Sequence, residues 1–130
     1  MLISESFAAF KAKQKNVQWS VSAISENNEL VVSLWDQFFE KRSKGTMTYA
    51  DQVSRWKGLG NSEFIENLNI AKEKDLPVRA IIAKSKNPKA VAAGEPASNL
   101  GNTFHPKKDW TGKLTIWDGD NFEIEFSQCK

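Results

Sequence analysis

Between residues 17 and 23 the chain alternates, Val17, Trp19, Val21 and Ala23 against Gln18, Ser20 and Ser22. That period of two marks a strand with one face buried and one face wet. The next stretch, 30–39, is apolar on both faces: Leu30, Val32, Leu34 and Phe38 on one, Val31, Trp35 and Phe39 on the other. Such a strand is either central and covered on both sides, or half of an interface. The second reading assigns Val31, Trp35 and Phe39 to contact with another copy of the chain, a homodimer. Helical spacing appears twice. Phe7 and Phe10 define one side of a helix over 5–15, with Ser4 placed to cap it. Phe64, Ile65, Leu68 and Ala71 define a second over 62–74, with Asn61 as its cap and Asp75 at its end. The continuous apolar run after Pro77 predicts an interior strand over 76–85. Leu114 and Ile116 are expected to face the core with Phe122, Ile124 and Phe126 in a hairpin turning at 118–121, with Thr115, Glu123 and Glu125 facing out. Residues 41–45 read as a turn, 46–56 as a stretch with room for a short third strand, and 86–109 as a long loop with one helical turn near 88–93.

These elements predict a single α+β domain over residues 1–130: a twisted, mainly antiparallel sheet, able to curl into an open barrel, with two main helices. If residues 30–39 are covered on both sides by this chain alone, the helices must lie on opposite faces of the sheet. Composition agrees with an ordinary globular chain, 40% apolar and 26% charged over 130 residues. Cys129 is the only cysteine, so no intramolecular disulfide can form and a reducing compartment is compatible. The first ten residues lack the basic start and apolar run of a secretory signal, and no stretch approaches the ~20 apolar residues of a membrane span. The expectation is a cytoplasmic protein without a membrane partner.

Catalytic signatures are weak. His105 is the sole histidine and has no metal-ligand spacing or paired nucleophile beside it. Asp118 and Asp120 resemble the start of a calcium loop, but the position of its closing glutamate holds Cys129, so turn chemistry accounts for them. Glu123 and Glu125 are what the wet face of an amphipathic strand requires. No catalytic residue, metal ligand or cofactor is assigned.

Charge changes the picture more than composition does. The total is +2, but residues 41–58 carry a net +4 and residues 79–113 a net +5. Segregation of this kind favours encounter with an anionic partner, although solvated loop lysines produce the same pattern. Within the first segment, Arg55, Trp56, Lys57, Gly58, Gly60 and Asn61 precede the second helix, where free amides and the helix dipole attract anions. The stretch lacks the lysine and hydroxyl of a phosphate loop and the third glycine of a dinucleotide fingerprint, so a glycine-assisted turn accounts for it more economically. Within the second, Lys107, Lys108 and Trp110 put cations beside an aromatic ring, as single-stranded nucleic acid binders do; a tryptophan packed back on the core is the competing reading. One shared anion site, built from 55–61 and the 105–110 loop, is the expectation.

The block at residues 55–83, RWKGLGNSEFIENLNIAKEKDLPVRAIIA, resembles one in uncharacterised bacterial proteins, some attached to restriction-type nuclease domains. The short, motif-free chain also resembles single-domain proteins carried on mobile integron gene cassettes. The first resemblance implies recognition of DNA or another anion and not cleavage. The function expected is a non-enzymatic binding module for an anionic partner, with nucleic acid foremost. A protein-interaction or oligomeric accessory protein is the alternative, and a small enzyme with its site in the 86–109 loop a second one.

Overall fold

The structure, a computed structural model, describes residues 3–14, 20–43, 45–55, 60–85, 89 and 102–128. In chain order these form α1 (Ile3–Ala8), β1 (Ser22–Ile24), β2 (Leu30–Trp35), β3 (Phe39–Ser43), β4 (Thr46–Gln52), α2 (Gly60–Lys74), β5 (Val78–Ser85), β6 (Asn102–Pro106), β7 (Trp110–Trp117) and β8 (Asn121–Gln128). The strands form one mixed sheet in the order β1-β2-β5-β7-β8-β4-β3, with β6 paired to β5 off this path. It curls into a half-barrel, and the α+β reading with an open barrel and two helices holds. One pair is parallel, β2 with β5, because the β3–β4 hairpin and α2 intervene and return the chain in the same direction.

The apolar double face of β2 is explained by cover on both sides. Leu30, Val32 and Leu34 enter the main core on the concave side with Val78 and Ala80 of β5, Phe64 and Leu68 of α2, and Phe122, Ile124 and Phe126 of β8. Val31 enters a second core on the convex side with Ile81 of β5 and Phe7, Phe10 and Ala12 of the N-terminal segment. Val31 is fully buried. The predicted interface row is therefore corrected. The expected strand over 30–39 breaks at a 3-10 turn, Asp36–Phe38, so Phe39 begins a different strand and packs on the concave core, away from Val31. Trp35 sits half-buried at the end of β2. The three do not line one exposed face, and β2 is covered on both sides by this chain.

Other boundaries move for identifiable reasons. The first helix stops well short of residue 15. Lys11 adopts φ 58, and the Ala12 amide donates to the Phe7 carbonyl while the Lys11 amide donates to that of Ala8, the bond pattern of a Schellman stop. At the end of α2, Asp75 adopts φ 52 and the Leu76 amide donates to the Ala71 carbonyl, so Asp75 does end that helix. The expected wet face of the first strand is not wet: Ser20 and Ser22 are buried, and Ser22 Oγ accepts from Asn67 Nδ2 of α2 at 2.9 Å. Residues 15–19 lie outside the described residues. The expected turn at 41–45 is largely strand, with β3 running to Ser43 and Gly45 turning at φ 79. The optional third strand is β4. The long loop contains β6, which sequence reading missed. Of the helical turn placed near 88–93, only Lys89 is described, with helical geometry.

The terminal hairpin forms as expected but with a bulge. Leu114 pairs with Ile124 and Ile116 with Glu123, so Thr115 is an extra residue in β7. Its hydroxyl lies 2.7 Å from Glu123 Oε2 and 3.1 Å from the Glu123 carbonyl. The slip turns Ile116 outward, where it is 49% exposed, and brings Trp117 into the core in its place.

Candidate functional site

Two strands share one edge of β5. Gly112 of β7 pairs with Val78 at its start, whereas Pro106 to Asn102 of β6 pair with Ile81 to Ser85 further along. The sheet forks there, and the chain crosses from β6 to β7 through residues 107–109. Register sets what faces where. Val78 and Ala80 point into the concave core. The alternation of a strand then places Ile82 and Lys84 on the same face, together with their partners His105 and Thr103. The Lys107 amide donates to the Ala80 carbonyl at 2.9 Å, which extends the same parity to Lys107. Lys84, Thr103 and His105 are exposed.

The rings of the concave side meet this face. Phe39 lies 5.7 Å from Trp110, 5.0 Å from Tyr49 and 6.0 Å from Phe126, because the curl folds β3 over toward β7. Phe38 stands edge-on to Tyr49 at 6.4 Å. Trp110, Phe38 and Phe39 are half-buried. The Lys107 ammonium sits 4.8 Å from the centre of the Trp110 ring and 3.5 Å from Asp109 Oδ1. Both partners of that ion pair are substantially exposed, so it holds Lys107 only weakly. Gly112 makes the corner possible. A Cβ there would lie 2.5 Å from Phe126 Cδ1 and 2.6 Å from Cε1, closer than the two atoms can approach.

Arg79 holds the corner from the convex side. Its Nη2 donates to the Lys108 carbonyl at 2.7 Å, its Nη1 lies 3.6 Å from Glu29 Oε2, and its guanidinium lies 5.1 Å from the centre of the Phe10 ring. One side chain thus ties the 107–109 turn to the β1–β2 turn and the N-terminal segment. It positions Lys107 and Lys108 and is not itself free to bind.

The structure separates the two basic segments that were expected to share a site. The Val53 amide donates to the Asp120 carbonyl and the Ser54 amide to Asp120 Oδ1, so Val53–Arg55 docks at the β7–β8 turn. Lys107 and Lys108 stand at the opposite end of β7, roughly 23 Å away for a strand of this length. Trp56, Lys57 and Gly58 lie outside the described residues, as does the Arg55 side chain. Asn61 is not placed as a cap: α2 begins at Gly60, and Asn61 Oδ1 is buried without a hydrogen-bond partner among the described residues. Of the predicted ligand residues, Lys107 and Trp110 come together, and Lys108 follows in the same turn with its carbonyl held by Arg79. Phe39, assigned to an interface, joins them, and Lys84, Phe38 and His105 complete the face. The missed residues carried a faint signal, the alternation of Thr103, His105 and Lys107 with Phe104 and Pro106.

Other features have structural explanations. Asp118 accepts from Asn121 Nδ2 at 3.0 Å and from the amides of Asp120 and Asn121 at 3.0 and 2.8 Å. These bonds, the side-chain one foremost, hold its carboxyl below the ordinary value of 3.8. The acidic turn is thereby accounted for. A shallow groove over β4, β7 and β8 contains Ile116 between Asp51 and Glu123, a rim of the wrong sign for an anion. Among the described residues no group of three or more His, Cys, Asp and Glu could hold a metal, and no helix is long and apolar enough to cross a membrane. No known family, curated protein or solved structure matches the chain.

Proposed function

We propose that the protein is a non-enzymatic binding module for an anionic partner, that the partner is nucleic acid, and that the fork of β5, β6 and β7 is where it binds. The observation that carries this reading is the Lys107 ammonium over the half-buried Trp110 ring, on the same sheet face as Lys84 and His105. Cations at and beside strand ends, next to half-buried rings, offer phosphates and bases their two usual contacts. The interaction-protein reading has less to support it. The apolar face of β2 is covered by this chain, and the outer edge of β6, unpaired among the described residues, offers little to an added strand. Because Lys107 points its amide toward β5, the Phe104 amide points away, and Pro106, at the same parity, has none to give.

Titration of labelled oligonucleotides at several salt concentrations tests the proposal. If Lys84, Lys107 and Lys108 each hold one phosphate, log K should fall with log salt at a slope of about −2.1 for a single strand or about −2.7 for duplex DNA. Changing the three to alanine together should abolish most of that slope with little change in thermal stability, since Lys84 and Lys108 are exposed and Lys107 is paired only weakly. Absence of salt-dependent binding to either form would end the nucleic-acid reading.

A further inference from the structure

We infer that the partner is recognised as a single strand, with the Lys107 ammonium keeping the Trp110 ring face in the free protein and giving it up to a base on binding. This rests on the nucleic-acid reading above and goes further, to the form of the ligand and the event at the ring. Three observations carry it. First, the ring cannot reach into a duplex. Trp110 is half-buried, with Phe39 at 5.7 Å and Phe126 at 6.0 Å beside it, and the buried Phe126 fixes its depth. A stacked and paired base cannot descend to that level, whereas an unpaired base can be turned out to meet the ring. Second, what covers the ring is exchangeable. The Lys107 side chain is 34% exposed and its other partner, Asp109, 48% exposed, so the ammonium exchanges one weak set of contacts for another when it swings to a phosphate. Third, the two lysines follow one ladder. Lys84 lies across from Thr103, four residues before Lys107 on the same face and roughly 14 Å from it along the chain direction, with the His105 side chain between them. That row follows the line of an extended backbone, not the curved surface of a helix.

The test uses the whole 130-residue chain, an oligothymidylate of about ten residues and a duplex of equal length. Nuclear magnetic resonance of the Lys107 side chain should show protons shifted upfield by the Trp110 ring in the free protein. They should return toward ordinary positions as the oligothymidylate is added. The single strand should bind more tightly than the duplex. Trp110→Ala should weaken single-strand binding between about 5-fold and 150-fold, the range that stacking on one ring supports. Because Trp110 also packs on the core, Trp110→Phe is the companion variant, and it should keep the fold while weakening binding by a smaller factor. Lys107→Met should reduce the salt slope by about 0.7 yet leave stacking in place. Equal binding of the two forms, or binding with the Lys107 signals unmoved, would overturn the single-strand inference while the nucleic-acid reading stood. Failure of both forms to bind would overturn both.

Discussion

At the residue scale, the fold depends on a few side chains that must be absent or charged. Gly112 is the sharpest case. It has ordinary strand geometry, and what requires glycine is the Phe126 ring lying where a Cβ would go. Phe126 is buried among Phe39, Trp110 and Ile124 and has little freedom to retreat. Gly112→Ala is therefore expected to cost roughly 1–3 kcal/mol or more, read from the midpoint of urea unfolding. The 118–121 turn makes a second, pH-dependent demand. Asp118 is held below 3.8 by the bonds its carboxylate accepts, so its contribution is present above the unfolded value and is lost as pH falls through the folded one. Asp118→Asn keeps an acceptor and removes the charge. The variant should be less stable than the parent at neutral pH, and the difference should narrow below about pH 3.8 in thermal melts recorded across the acid range.

At the element scale, both helices end on a non-glycine residue in left-handed geometry, Lys11 after α1 and Asp75 after α2. Aspartate tolerates that region better than most residues, but glycine adopts it without the Cβ clash. Asp75→Gly should raise stability by up to about 1 kcal/mol in chemical denaturation, with unfolded-state entropy offsetting part of the gain. The same stops show what the sequence could and could not convey. Alternation, helical spacing and the run after Pro77 located β2, α2, β5, β7 and β8, because in each the burial pattern repeats locally. Lys11 gave no sign of a stop, since nothing in a lysine announces positive φ. The inward turn of Trp117 depends on one bulged threonine bonded to Glu123 across the hairpin. The strand β6 was hidden because it is only five residues long and one of its faces, Thr103 and His105, is polar. For the site the limit was topological. Lys107, Lys108 and Trp110 were legible as a basic and aromatic cluster, whereas their separation from Arg55 by the length of β7 follows from Ser54 bonding Asp120, 66 residues away.

At the scale of the whole molecule, the N-terminal segment decides whether the sheet is self-sufficient. Phe7 and Phe10 cover Val31 and Ile81, so the intact chain is expected to be monomeric in light scattering at high micromolar concentration. Removing residues 1–14 would uncover an apolar patch on β2 and β5, and the shortened chain should self-associate under the same conditions. The parallel pair of β2 and β5 bears on how the chain reaches this state. The β3–β4 and β7–β8 hairpins join neighbours in sequence and can close within microseconds. Leu30 meets Val78 only after the intervening hairpin and helix have been brought round, and both cores include residues from those two strands. Ordering so long a loop must precede most of the apolar burial that rewards it. The strand pair that gives the fold its two cores should therefore also set its folding rate, with β5 as the last central strand to find its place.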